Sequence, residues 1–187
     1  MSRERCFAEL KQEQAAKKGD LRMIALKIED LKTFTAQLFM GETFDYWLVR
    51  EANIVTFNSF TIDGRIRQGY YSDEELETNR IEELSSWKTL RPFCYSLIRG
   101  KKLPESFQIT LQLSPEENEK FIRRVKPDLS ADQVAALYLN IRYENHAAAC
   151  VTGTSLKIFM LDKQIEQEWD ETVRRYFKKL QIPYVEA

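Results

Sequence analysis

Apolar and polar residues alternate from Met23 to Ile28, which puts Ile24, Leu26 and Ile28 on one face of a strand. From Glu29 the spacing becomes helical, with Leu31, Phe34, Leu38 and Phe39 in one stripe and Gly41 as the stop. Phe44 to Tyr71 is rich in Phe, Tyr, Val, Ile and Thr and reads as a β ribbon. Asp63-Gly64 is its expected hairpin turn, since both residue types accept positive φ. A second break near Ala52-Asn53 divides the ribbon into about three strands.

The same grammar returns later in the chain. Phe107 to Leu113 is the cleanest period-two run. Ser114-Pro115-Glu116-Glu117 then forms a capping box with Pro at the first helical position, and Phe121, Ile122 and Val125 face inward before Pro127. Leu129 to Ala135 reads as an insertion, and Ala136 to Met160 returns to β with breaks at Glu144-Asn145-His146 and near Gly153. Laying Tyr46 on Tyr138, Arg50 on Arg142, Asn53 on Asn145 and Ile66 on Ile158 aligns the two ribbons without gaps. The expectation is an α+β domain of two β-α-β-β-β pseudo-repeats, about 23–71 and 107–161, with the strands at 24–28 and 107–113 in equivalent places.

Three further segments complete the pattern. Residues 1–22 are highly charged with a thin apolar stripe of Phe7 and Leu10, so they read as an extension that contributes little to the fold, and Met23 reads as an alternative start. Ser72 to Leu84 is an acidic, solvated connector in which Ser72 and Glu75 form a capping box. Residues 162–181 form an amphipathic helix capped by Asp162. Ile165, Trp169, Val173, Tyr176, Phe177 and Leu180 lie on its packing face, with acids at its start and bases at its end, as the helix dipole favours. Leu90 to Ile98 fits both periods; Pro92 and the Phe93, Tyr95, Leu97 alternation favour a strand, which makes Gly100 to Pro104 a hairpin loop.

Composition adds exclusions. A net charge of −1 gives no overall field toward nucleic acid or an anionic membrane. No apolar run has the roughly 18 residues of a membrane span, and the N-terminus lacks a signal-peptide core. The cysteines Cys6, Cys94 and Cys150 are odd in number and widely spaced, which implies a reduced, cytoplasmic protein. The single histidine, His146, sits in a polar turn, and no nucleophile elbow, P-loop, dinucleotide fingerprint or zinc spacing occurs. No cofactor is expected.

Two chemistries survive. Glu51 and Asp63, with Asp45 nearby, are the candidate acid–base or Mg²⁺ carboxylates. Arg65 and Arg67, with Arg50 as a further candidate, form one basic cluster; Arg99, Lys101 and Lys102 form another, near Trp87 and Tyr95, and Arg65, Arg67, Trp87, Arg99, Lys101 and Lys102 make the candidate interaction surface. Three functions are weighed: a non-enzymatic interaction module with a protein partner, a nucleic-acid-associated protein, and a metal-assisted carboxylate enzyme.

The segments Ile24-Ala25-Leu26-Lys27-Ile28-Glu29-Asp30-Leu31-Lys32, Thr56 to Arg65 and Thr152 to Phe159 resemble an uncharacterised bacterial family. That family is met mainly in anaerobic Firmicutes and is catalogued only as a domain of unknown function. The resemblance covers Met23 to Ile182 and implies no activity. More remotely, the doubled order is similar to one domain of the DNA sliding clamps. The clamp likeness implies a fold rather than a function, because Lys120, Arg123 and Arg124 are balanced by Glu116, Glu117 and Glu119.

Overall fold

A computed structural model describes residues 23–157 and 162–187. The expectations for residues 1–22 and for the end of the second ribbon at 158–161 lie outside the described residues. The order is β1 (Ala25–Ile28), α1 (Leu31–Phe39), β2 (Leu48–Val55), β3 (Ser59–Asp63), α2 (Asp73–Thr78), α3 (Trp87–Ile98), β4 (Ser106–Gln112) and α4 (Pro115–Val125). A 3-10 turn (Ala131–Gln133) leads to β5 (Val134–Glu144), β6 (Ala147–Leu156), α5 (Gln164–Lys179) and β7 (Tyr184–Glu186). The strands form one sheet in the order β3-β2-β4-β5-β6-β1-β7. Every neighbouring pair is antiparallel, so the class is α+β as expected.

Register assigns each residue to a face. Ala52, Ile109, Ile141, Cys150 and Leu26 form one row across five strands. All five are buried, and they join Phe34, Leu38, Trp87, Phe121, Ile122, Trp169, Val173 and Phe177 from the helices in one core. On this side α3 packs on β2, α4 on β5 and α5 on β6. Each fully buried Leu, Ile or Phe here contributes about 1.5–3 kcal/mol relative to exposure. The next row, Asp63, Glu51, Thr110 and Asn140, points to the opposite, polar face.

Local sequence explains the helix starts. Asp30 accepts from Thr33 N at 3.0 Å and from Thr33 Oγ1 at 2.6 Å, and these bonds hold its carboxyl below the usual range. Ser72 and Glu75 form the expected reciprocal capping box of α2. Ser114 accepts from Glu117 N ahead of Pro115, as expected for α4. The α5 stripe packs on the sheet side, with Ile165, Trp169, Val173 and Phe177 buried. Asp162 does not stand at the N-cap, which is Lys163; its Oδ1 still accepts from Gln164 N at 2.9 Å.

Several expectations are corrected. Residues 87–98 are helical, not a strand: Ser86 caps them by accepting from Thr89 N, Trp87 and Cys94 are buried on one helical face, and Pro92 lies inside the helix. The first hairpin turns at Thr56-Phe57-Asn58, where Thr56 N donates to Asn58 O, and not at Asp63-Gly64. Ala52 and Asn53 lie within β2 rather than at a break.

The gapless overlay therefore fails. Asn145 takes positive φ in the β5–β6 turn, whereas Asn53 pairs with Thr61 in mid-strand. The β-α-β-β order does recur, but the places in the sheet differ. β4 lies between β5 of its own unit and β2 of the other, while β1 pairs with no strand of its own unit and lies between β6 of the other unit and β7. The strands at 24–28 and 107–113 are not equivalent.

Candidate functional site

The residues singled out from sequence do not form one surface. Trp87 is fully buried, donates from Nε1 to Leu38 O at 2.7 Å, and packs on Phe39. Arg65 and Arg67 are exposed after β3, where Arg65 bridges to Leu84. Arg99, Lys101 and Lys102 are exposed between α3 and β4, whose entry is fixed by Glu105 N donating to Val55 O. The two basic clusters thus flank opposite ends of β2.

Glu51 and Asp63 are brought together as directly opposed residues of β2 and β3. Both are exposed. Glu51 Oε1 accepts from Asn53 Nδ2 at 2.5 Å, and Asp63 Oδ1 accepts from Arg65 N at 3.0 Å. Asp45 is elsewhere: it is buried, with Oδ1 3.1 Å from Arg91 Nε and Oδ2 accepting from Arg91 Nη2 at 3.1 Å. Among the described residues, no three His, Cys, Asp or Glu side chains converge as a metal set.

His146 is exposed in the β5–β6 turn, its Nδ1 3.5 Å from Tyr143 Oη. Cys94 and Cys150 are free and buried. Burial pushes the Cys94 thiol up to about 12 and raises that of Cys150 further. Both are neutral thiols near pH 7, without nucleophilic character.

A concavity lies between α4, α5 and the loop before β2. It encloses about 760 Å³, within the size that takes ligand-like groups (about 300–1,000 Å³). Tyr46, Trp47, Phe121, Trp169 and Tyr176 supply its aromatic surface, with Lys120 and Arg124 on its α4 wall. Helical spacing creates the walls: Glu117, Lys120, Phe121 and Arg124 recur at three- and four-residue steps on α4, as do Trp169, Val173 and Tyr176 on α5.

The rings form a continuous chain. Phe121 meets Trp169 edge-on at 5.7 Å, Trp169 meets Trp47 at 6.0 Å, and Trp47 meets Tyr176 at 5.9 Å. Their polar tips are engaged inside the protein. Trp169 Nε1 donates to Tyr138 O at 2.9 Å, Trp47 Nε1 to Tyr176 Oη at 3.3 Å, and Tyr176 Oη to Thr43 O at 2.6 Å. The last two bonds tie the loop before β2 to α5. The floor is therefore held in place, with Trp169, Phe121 and Trp47 almost wholly buried beneath it, so the ring surface open to a ligand is that of Tyr46 and the half-buried Tyr176.

Above it, Tyr46 is 89% exposed. Lys120 pairs with Glu116 and Glu117, whereas Arg124 lies over the Phe121 ring at 5.4 Å and pairs with no carboxylate among the described residues. A smaller cleft of about 580 Å³ lies on the other side of α4, lined in part by Asn118, Arg123 and Lys157.

The sequence contained a signal for the larger cleft, in that Tyr46 and Trp47 stand just before a strand and Trp169 and Tyr176 lie on the same stripe of α5. What it lacked was the tertiary arrangement that puts α4 and α5 side by side. Among the described residues no helix is long and apolar enough to cross a membrane. No curated protein and no solved structure matches the chain. A model for a family of unknown function, DUF5721, matches residues 37–185, and the chain belongs to that family.

Proposed function

We propose that the chain is a non-enzymatic interaction module that captures a partner protein in the aromatic cleft. The partner's bound segment presents an apolar or aromatic side chain to Tyr46 and Tyr176, with a carboxylate beside it for Arg124. The observation that carries this reading is a cleft whose floor rings have their donors already engaged, and whose rim carries an exposed tyrosine and an arginine that pairs with no carboxylate among the described residues. Such a site recognises apolar surface and one negative charge, and it resembles the aromatic and Arg anchors that dominate protein interfaces. The free, buried Cys94 and Cys150 support a reducing, cytoplasmic setting.

The test is selection of random peptides displayed on phage against the intact protein. Enriched peptides should pair an aromatic residue with a neighbouring Asp or Glu. They should lose binding at least about tenfold to Tyr46→Ala and to Arg124→Glu, a loss typical of an interface hot spot. Enrichment indifferent to both substitutions would sink the reading. Salt-dependent binding of labelled DNA or RNA through Arg99, Lys101 and Lys102 would favour a nucleic-acid partner instead.

A further inference from the structure

We infer that β3 is a self-pairing edge through which two copies of this chain join their sheets. Among the described residues β3 ends the sheet and pairs with β2 alone. Its sequence, Ser59-Phe60-Thr61-Ile62-Asp63, contains no Pro, no Lys and no bulge, the usual devices that keep an edge from pairing. Beside it, Phe57 is 82% exposed and meets Phe60 edge-on at 5.7 Å.

Hydrogen-bond parity shows which backbone groups the edge presents. Antiparallel pairs alternate between bonded and non-bonded. Thr56 N donates to Asn58 O at 2.9 Å, and Gly64 N donates to Arg50 O at 3.1 Å. Between these bonded pairs, Phe60 and Ile62 turn their peptide groups toward β2. Ser59, Thr61 and Asp63 turn theirs outward.

A two-fold axis at Thr61 makes the same three residues the bonded set of an antiparallel pair with a second copy. Thr61 then faces Thr61 of the other copy, and Ser59 faces Asp63. Phe60 of one copy meets Ile62 of the other on the sheet's apolar side, where both are only half-buried in a single chain. No charged side chain faces its own kind, and Asp63 gains a serine hydroxyl. Continuing the register brings Phe57 beside Arg65 of the other copy, a cation–aromatic match. The strand is thus complementary to itself, which an isologous interface requires.

The test uses the full chain at several concentrations. Light scattering should show the mass rising from 22.1 kDa toward twice that value over about 5–500 µM, the range suited to so short a contact. The Thr61 N–H bonds nothing in β2, so Thr61→Lys and Thr61→Glu disturb the hairpin only through loss of the Thr61 Oγ1–Asn53 Oδ1 bond. Each variant alone should stay a monomer, because like charges meet at the axis. An equimolar mixture should recover a dimer, because opposite charges then meet there.

Hydrogen exchange on the unmodified protein gives an answer even if a variant fails to fold. The amides of Ser59, Thr61 and Asp63 should slow as concentration rises, while those of Phe60 and Ile62 stay protected throughout. A monomer at every concentration overturns the proposal. So does a dimer that persists in both variants, a mixture that stays monomeric, or an edge whose amides gain protection only when a foreign strand is added.

Discussion

Thr152 Oγ1 donates to Asp170 Oδ1 at 2.5 Å and accepts from Ile24 N at 3.2 Å, so one hydroxyl on β6 joins the helix α5 to the start of β1. Asp170 and Thr152 are both buried. Desolvation is the main cause that raises the Asp170 carboxyl above its ordinary value, partly opposed by the Thr152 bond.

A group whose folded pKa is raised favours its neutral form in the folded state. Its contribution to stability is complete below the unfolded value near 3.8 and is lost as pH rises through the folded value. Asp170→Asn keeps an oxygen for Thr152 and removes the charge. Its melting temperature relative to wild type should therefore climb as pH rises above about 4, as read by circular dichroism. A difference that is flat or falls with pH would contradict this assignment.

The ion pair of Asp45 and Arg91 ties the loop before β2 to α3, with side-chain exposures of only 7% and 16%. Arg91→Met should cost about 3 kcal/mol, because it leaves a buried carboxylate without its partner. Asp45→Asn combined with Arg91→Met should cost clearly less than that single change. Urea unfolding of the two variants measures the difference.

Two glycines make a contrast that separates space from backbone conformation. A Cβ at Gly64 would stand 1.8 Å from Val49 O, because Gly64 N donates to Arg50 O and Gly64 O accepts from Ser85 N at this crowded point. Gly64→Ala should cost more than about 3 kcal/mol, since the obstacle is backbone. At Gly69 a Cβ meets nothing within 4 Å, but φ is +77°. Gly69→Ala should cost only about 1 kcal/mol, from backbone strain alone. Thermal melts that place the two variants in the reverse order would refute the argument.

The buried thiols give a chemical readout of the core. In a Cys6→Ser background, Cys94 and Cys150 should react with a thiol reagent at pH 8 at least about a hundredfold more slowly than in denaturant. Rapid modification in the native state would show that the sheet opens far more readily than its packing implies.

Strong local signals were legible in the sequence. The alternation of β4, the capping box at Ser72, the N-cap at Ser114 and the apolar stripe of α5 each involve neighbours within a few residues. Leu90 to Ile98 misleads because its residues satisfy two periods, and the deciding contacts are tertiary: Trp87 on Phe39, and its indole on Leu38 O. Asp63-Gly64 has turn chemistry, yet Gly64 is required there by the approach of Val49. The aromatic cleft left only its separate residues in the sequence, because its walls, α4 and α5, are far apart in the chain. Trp169 and Tyr176 look the same in sequence whether they line a cleft or only fill a core.

The position of β1 has a consequence for how the chain acquires its structure during synthesis. Both strands that flank β1 are translated long after it; Ile24 and its partner Thr152 are 128 residues apart. While the middle of the protein emerges from the ribosome, β1 carries two open edges and Leu26 has no core to enter. The β2–β3 hairpin and the β4–β5–β6 meander can form first, because their partners are nearer in sequence. Completing the sheet requires β1 to enter between β6 and β7, a non-local pairing of the kind that slows folding and keeps strand edges open longer.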